Sequence, residues 1–121
     1  MSTADAHRLA LSAELCLTVG GTAMLTPRQA WLLVCIDAAG SLTEGAKRSG
    51  FSYRGAWNVV SRLSSLAGEP LVTASKGGKG GGFSRLTARG QRLLQLYAAL
   101  TAQHAAFVDQ LNQVVADFGE C

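Results

Sequence analysis

The chain has 121 residues, of which 48% are apolar and 16% are charged. This composition is typical of one folded domain and excludes an intrinsically disordered chain. The longest apolar run, residues 30–36, is far shorter than the roughly 18 residues of a membrane helix. Asp5 and Glu14 lie where a signal peptide would be basic and then apolar. We therefore expect a cytoplasmic protein that does not associate with membranes.

The net charge of +3 is unevenly distributed along the chain. Residues 40–92 contain nine basic and two acidic side chains, a net charge of +7, and the remainder has a net charge of −4. A surplus of one sign within one segment is typical of a surface that binds a polyanion, because a merely solvated surface mixes the signs.

The side chains that carry most metal and enzyme chemistry are scattered. Cys16, Cys35 and Cys121 form no CxxC pair, and His7 and His104 lie near opposite ends of the chain. Metal ligands and catalytic groups occur in clusters, so we predict no metal site, no cofactor and no enzyme activity.

The first predicted element is a strand. Residues 1–13 offer no clear pattern, and we expect them to be mobile. "ELCLTV" then alternates Leu15, Leu17 and Val19 with Cys16 and Thr18, which is strand periodicity. The following "GGTAM" is expected to end this strand.

The next segment, "LTPRQAWLLVCIDAAG", predicts a helix. Thr26 is placed as its N-cap, Pro27 as its first residue and Gly40 as its stop. One apolar stripe is expected to face the core: Leu32, Leu33, Ile36 and Ala39. A second stripe can be buried only against another element or another chain, which makes this helix a candidate subunit contact: Trp31, Val34, Cys35 and Ala38. Cys35 is also expected to behave as a small buried hydrophobe.

Two short helices follow. "SLTEGAKRSG" opens with the capping-box pattern of Ser41 and Glu44 and closes at Gly50. The next helix starts after Ser52 and runs through "YRGAWNVVSRLSSLA" to Gly68. Two short helices joined by so few residues match a helix-turn-helix.

A glycine-rich hairpin comes next. "LVTAS" and "FSRL" are predicted strands on either side of "KGGKGGG", and with the first strand they suggest a three-stranded sheet. A nucleotide-binding P-loop requires Gly-Lys-Ser/Thr followed by a helix, whereas Lys79 precedes glycines and a strand. A flexible loop without a ligand is one alternative. The position after a helix-turn-helix favours a wing that contacts DNA phosphates or the minor groove.

The last predicted element is a helix of about 30 residues, from a cap at Thr87 to about Asp117. Its apolar residues recur at helical spacing, which predicts pairing with a second copy in a twofold dimer. The predicted contacts on this helix are Leu93, Leu96, Tyr97, Leu100, Phe107 and Leu111. The whole order predicts a mainly α (α+β) winged helix-turn-helix over residues 14–87, followed by a dimerisation helix and tail over residues 88–121.

Two stretches resemble a known family. "GSLTEGAKRSGFSYRGAWNVV" and "LVTASKGGKGGGFSRLTARGQRLLQLY" look like the DNA-binding domain of ModE-family molybdenum-responsive transcriptional regulators, with "SYR-AW" close to the usual Ser-Tyr-Lys-x-Ala-Trp. The resemblance implies DNA binding and dimerisation. That family normally continues into a domain that binds molybdate, which this sequence lacks, so we expect no direct molybdate sensing.

The second helix of the helix-turn-helix is the predicted reader of base edges. Arg54 suits guanine, Asn58 suits adenine, and Tyr53 and Trp57 suit thymine methyls or sugars, although Trp57 also fits a position packed beneath the helix. The other predicted DNA contacts, mainly with phosphates, are Thr43, Lys47, Ser52, Arg62, Lys76, Gly77, Gly78, Lys79, Gly80 and Arg85. Simple capping is the alternative role of Thr43 and Ser52, and plain solvation that of the cations.

These residues predict a sequence-specific transcriptional regulator that binds a pseudo-palindromic operator in double-stranded DNA as a homodimer. One alternative is an architectural protein that coats DNA with little sequence preference. Another is an adaptor that uses the winged-helix surface to bind protein.

Overall fold

The computed structural model describes residues 7–75 and 83–119. Within them the elements, in chain order, are β1 (Leu17–Val19), β2 (Thr22–Leu25), α1 (Pro27–Ala39), α2 (Leu42–Ser49), α3 (Tyr53–Ala67), β3 (Val72–Ser75), β4 (Phe83–Leu86) and α4 (Ala88–Gly119). The pair α2 and α3 is the helix-turn-helix, β3 and β4 form the wing, and α4 is the long final helix. This order is a winged helix-turn-helix, which confirms the predicted fold. None of the helices in the described residues is both long enough and apolar enough to cross a membrane.

The helix boundaries follow from local capping chemistry. The Thr26 hydroxyl accepts from the Gln29 amide and the Gln29 side chain accepts from the Thr26 amide, which completes a capping box at the start of α1. Ser41 caps α2 in the same position, and the Ser52 hydroxyl accepts from the Gly55 amide at 3.0 Å to begin α3. The predicted starts of these three helices are therefore confirmed.

The first strand was predicted to join the wing, and this prediction is wrong. β1 pairs antiparallel with β2, and β3 pairs with β4 in a separate two-stranded sheet. The segment "GGTAM", expected to end the strand, instead turns it back on itself. Gly20 and Gly21 have positive φ angles of 56° and 81°, a conformation that suits a two-residue hairpin turn and that glycine adopts without a steric penalty.

The wing is attached instead to the C-terminal end of α1. The Ser84 amide donates to the Gly40 carbonyl at 2.8 Å, and the Leu86 amide donates to Asp37 Oδ1 at 3.0 Å. These two bonds satisfy backbone N–H groups of β4 that would otherwise donate to a third strand. The position of the wing is consequently fixed by α1 and not by β1.

Two neighbouring clusters form the core on either side of α1. Leu33 packs with Leu25, Leu63 and Leu71 in the larger cluster, which joins β2, α3 and the wing. The second cluster lies between α1 and the helix-turn-helix: Leu32, Ile36, Ala46 and Ala56. Leu32, Leu33 and Ile36 are fully buried, as the first predicted stripe of α1 requires, and Ala39 is half-buried at the helix end.

Residues 8–15 extend along one side of α4. The Leu11 amide donates to Asn112 Oδ1 at 2.7 Å, and Asn112 Nδ2 donates back to the Leu11 carbonyl at 3.0 Å. Nearer the core, the Tyr97 hydroxyl donates to the Leu15 carbonyl at 2.8 Å. Desolvation by burial raises the pKa of the Tyr97 phenol, so this donor keeps its proton. Residues 1–6 of the predicted mobile segment lie outside the described residues.

We predict that Gly45→Ala destabilises the fold, because α2 crosses α1 at this glycine and an added Cβ would lie 2.6 Å from Ile36 Cα. Forcing the two helices apart should lower the free energy of unfolding by about 1–3 kcal/mol. Gly119→Ala is the matched control, since a Cβ there meets open space. Urea unfolding at one fixed protein concentration measures both, and equal midpoints for the two variants would contradict the close crossing.

Candidate nucleic-acid interface

The outer face of α3 presents four of the predicted DNA contacts together. Ala56 and Leu63 anchor the opposite face in the core. On the outside, a shallow depression of about 300 Å³ is lined by Tyr53, Arg54, Trp57 and Asn58. Trp57 is 55% exposed, so it does not pack beneath the helix, which was the alternative reading of this residue. The helix-turn-helix therefore displays a guanidinium, an amide and two aromatic rings on one accessible surface.

A residue absent from the predicted site fixes the turn before α3. Arg28 lies in the first turn of α1, and its Nη2 donates to the Gly50 carbonyl at 3.3 Å. Its guanidinium also lies 4.4 Å from the centre of the Phe51 ring, a cation–π distance. Arg28 thereby connects α1 to the segment that ends in the Ser52 cap of α3. The sequence carries no signal for this contact, because Arg28 is 22 positions away from Gly50.

The predicted contacts on α2 lie on its exposed side. Thr43 is exposed just after the Ser41 cap, so the capping role belongs to Ser41. The Lys47 amine lies 3.7 Å from a Glu44 carboxylate oxygen, and both side chains are mostly exposed. An exposed ion pair of this kind is weak, so Lys47 remains available to a phosphate. Ser52, in contrast, is both exposed and the N-cap of α3.

Two further predicted cations, Arg62 and Arg85, also have partners within the fold. Arg62 Nη2 donates to the Ala23 carbonyl at 2.7 Å, so its guanidinium holds the β1–β2 hairpin against α3. The contact gives Arg62 a structural role that its place in the basic segment did not suggest. The Arg85 guanidinium lies 5.6 Å from the centre of the Phe83 ring on the exposed side of the wing. The predicted wing-tip residues Lys76, Gly77, Gly78, Lys79 and Gly80 lie outside the described residues.

The predicted subunit contacts divide into buried and exposed residues. Cys35 and Tyr97 are buried by their own subunit, so their side chains are not available at the surface of this chain. Leu93, Leu100 and Leu111 are half-buried. The exposed members are Trp31, Val34, Ala38, Leu96 and Phe107.

A largely apolar groove of about 600 Å³ lies between α1, α4 and residues 13–15. Trp31 and Val34 line its α1 side, and Leu94 and Ala98 line its α4 side. Its charged lining residue is Glu14, and no lysine or arginine lines it.

The sequence of this chain is similar to the sequences of known transcriptional regulators. The chain is 46% identical over 82 residues to the transcriptional regulator ModE of Yersinia pestis. It is 45% identical over 82 residues to the DNA-binding transcriptional dual regulator ModE of Escherichia coli (strain K12). Over its matched part, the chain is related to the ModE transcriptional regulators. Both alignments cover 67% of this chain and 31% of the relative, so the chain spans about a third of the length of these curated relatives.

A further relative named ModE is described by molybdenum transport. The molybdenum transport protein ModE of Azotobacter vinelandii is 37% identical over 93 residues, which are 77% of this chain and 34% of that protein. No family model matches the chain. Proteins named as ModE in these comparisons are described as transcriptional regulators or transport proteins of molybdenum, and not as enzymes.

A solved structure supports the fold independently. The DNA-binding domain of CbnR, determined in complex with DNA, superposes with a TM-score of 0.58 over 72% of this chain and 94% of that domain. Its sequence identity is 22%, so the likeness concerns the fold. The likeness therefore supports the fold described above.

We predict that Arg28→Ala lowers the free energy of unfolding by about 1 kcal/mol, because it removes the ring contact and the bond to the Gly50 carbonyl. Arg48→Ala is the matched control: it removes the same charge from an exposed position on α2 and should change the free energy by less than about 0.5 kcal/mol. Thermal or urea unfolding distinguishes them. Equal effects would show that Arg28 acts through net charge alone.

Proposed function

We propose that this chain is a sequence-specific, DNA-binding transcriptional regulator that acts as a homodimer. The observation that carries the proposal is the outer face of α3, where Tyr53, Arg54, Trp57 and Asn58 are exposed together on the second helix of a helix-turn-helix. The relationship to ModE regulators supports the same conclusion, since those proteins are named for transcriptional regulation.

In this proposal α3 enters the major groove. The Arg54 guanidinium matches the O6 and N7 acceptors of guanine, and the Asn58 amide matches N6 and N7 of adenine. Tyr53 and Trp57 present ring surface to thymine methyls or to sugars. These four side chains supply the contacts that distinguish one sequence from another.

The surrounding residues position the protein through phosphates, which carry no sequence information. The candidates in the described residues are Thr43 and Lys47 on α2, Ser52 at the start of α3, and Arg85 on the wing. Backbone amides at helix N-termini also suit phosphate oxygens. The sequence also predicts phosphate contacts by Lys76, Lys79 and the neighbouring glycines, which lie outside the described residues. Arg62 is the weakest of these candidates, because the Ala23 carbonyl already engages its guanidinium.

A homodimer presents two copies of α3 related by a twofold axis, so the operator should be a pseudo-palindrome. Its half-sites should lie about one helical turn of DNA, or a multiple of it, apart. We predict that sequences selected from a random DNA pool share such paired half-sites, and that footprinting of a selected operator protects both. Protection of one isolated half-site would contradict the dimeric mode.

We also propose that DNA binding by these residues does not depend on molybdate. The apolar groove between α1, α4 and residues 13–15 carries Glu14 and is lined by no lysine or arginine, so it does not suit an oxyanion. The affinity for a selected operator should be the same with and without molybdate, and a change in affinity would overturn this part of the proposal.

The proposal divides the side chains into those that contact bases and those that contact phosphates, and this division gives a further prediction. Arg54→Ala should cost about 1–3 kcal/mol on the selected operator and relax the sequence preference at one position, because it removes a base-edge contact. Lys79→Ala should weaken binding to all sequences alike and reduce the salt slope by about one, because it removes a phosphate contact.

Binding curves at several salt concentrations, on the selected operator and on random DNA, measure both effects. The wild-type protein should prefer the operator on the order of 10³-fold or more. Identical behaviour of the two variants would contradict the assigned roles. A wild-type protein that binds DNA without preference would instead be architectural, and one that binds no DNA would favour the adaptor function.

A further inference from the structure

The wing has two faces of different chemistry. Along β4 the side chains of Phe83 and Arg85 are exposed, whereas the two residues that alternate with them are buried. Thr73 pairs with Arg85, and Ser75 pairs with Phe83, across the antiparallel ladder. Directly paired residues lie on the same side of a sheet, and Thr73 and Ser75 are exposed as well. We call this exposed side the outer wing face: Thr73, Ser75, Phe83 and Arg85.

The opposite face of the wing holds this surface in a fixed position relative to α3. Val72 packs against the core cluster that joins α1 to the helix-turn-helix. The amides of Ser84 and Leu86, on either side of Arg85, donate to the C-terminal end of α1. The backbone that carries Arg85 is therefore attached to the same core as α3, and the remaining conformational freedom lies in the Arg85 side chain.

The outer wing face carries the chemical groups that bind a nucleic-acid backbone. Its side chains are one guanidinium, two hydroxyls and one ring, without a carboxylate. A guanidinium binds phosphate through two parallel hydrogen bonds, and hydroxyls bind phosphate and sugar oxygens. The Arg89 guanidinium, in contrast, already pairs with a Glu69 carboxylate at 3.3 Å. In the part of the chain that the structure describes, no carboxylate pairs with Arg85.

Phe83 orients the Arg85 guanidinium without using its hydrogen-bond donors. The guanidinium carbon lies 5.6 Å from the centre of the ring, within the roughly 6 Å of a cation–π contact. The face of the ring attracts the cation, so the N–H groups of the guanidinium stay available to phosphate oxygens. An arginine loses rotamer entropy when it binds, and a ring that restricts the side chain beforehand reduces this loss. Phe83 is 52% exposed, so core packing does not account for a phenylalanine here.

From these observations we propose that the outer wing face binds the sugar-phosphate backbone of DNA and that Phe83 positions Arg85 for this contact. The proposal rests on the DNA-binding function proposed above and adds a positioning residue to it. Arg85 makes the charged contact, and Phe83 acts through Arg85. Both residues should affect the affinity for all DNA sequences alike, because phosphates and sugars carry no sequence information.

A double-mutant cycle in the full chain tests the role of Phe83, with affinities for the selected operator and for random DNA measured at several salt concentrations. Arg85→Ala should weaken binding to both DNAs and lower the salt slope by about one, because it removes a phosphate contact. Phe83→Leu should weaken binding about twofold to fivefold with an unchanged slope, since the ring contact is lost and the charge remains. In a protein that already carries Arg85→Ala, Phe83→Leu should have no further effect.

Two further variants are the matched controls. Phe83→Tyr keeps the ring and should bind DNA like the wild type. Arg92→Ala removes the same charge from an exposed position on α4, and it should leave the salt slope unchanged because screening limits the reach of an exposed charge to about 8 Å. Thermal unfolding midpoints should stay close to the wild-type value in all variants, because the substituted side chains are exposed.

Each outcome has a distinct meaning. If Phe83→Leu weakens binding equally with and without Arg85, or if Phe83→Tyr behaves like Phe83→Leu, Phe83 does not act through Arg85 and the inference is overturned. If neither Phe83→Leu nor Arg85→Ala changes the affinity while Arg54→Ala still relaxes the sequence preference, the outer wing face does not contact DNA, and base reading by α3 stands. A wild-type protein that binds no DNA overturns the proposed function and this inference together.

Discussion

The burial of α1 on both sides is the constraint on which the rest of the structure depends. Leu32 and Ile36 pack against the helix-turn-helix, and Leu33 packs into the larger core cluster. The two ends of the same helix hold the functional elements in place, since Arg28 contacts the turn before α3 and Asp37 accepts a hydrogen bond from the wing. Helix-turn-helix and wing are consequently oriented by one rigid element, and a DNA-binding surface built from both requires that rigidity.

The candidate interface consists of side chains that do not pack in the core. Ala56 and Leu63 commit one face of α3 to the interior, which leaves Arg54, Trp57 and Asn58 on the other. Contiguous exposed apolar surface is typical of an interaction site, and Tyr53 and Trp57 form such a surface on α3. Leu96, Phe107, Val114 and Phe118 expose further apolar surface on α4.

Much of the candidate site could be predicted because its signals are local. The outward position of Arg54 and Asn58 follows from helical periodicity once α3 is recognised. Arg62 shows what such reasoning does not reveal: its charge and position in the basic segment predict a phosphate contact, and the structure adds a hydrogen bond from its guanidinium to the Ala23 carbonyl of the β1–β2 hairpin. That outcome depends on a hairpin almost 40 positions away in sequence. Burial of Cys35 and Tyr97 depends in the same way on neighbours that adjacent residues do not reveal.

The sequence by itself determined the helices, their caps and the wing strands, because a serine or threonine cap, a glycine stop and a 3.6-residue period act within a few residues of the chain. Only the tertiary structure decided which strands pair and what anchors the wing. Gly20 and Gly21 close β1 onto β2, and the end of α1 bonds to β4 where a third strand was expected. Strand pairing is a choice among distant partners with similar backbone hydrogen bonds, so packing of the whole core, and not local propensity, selects among them.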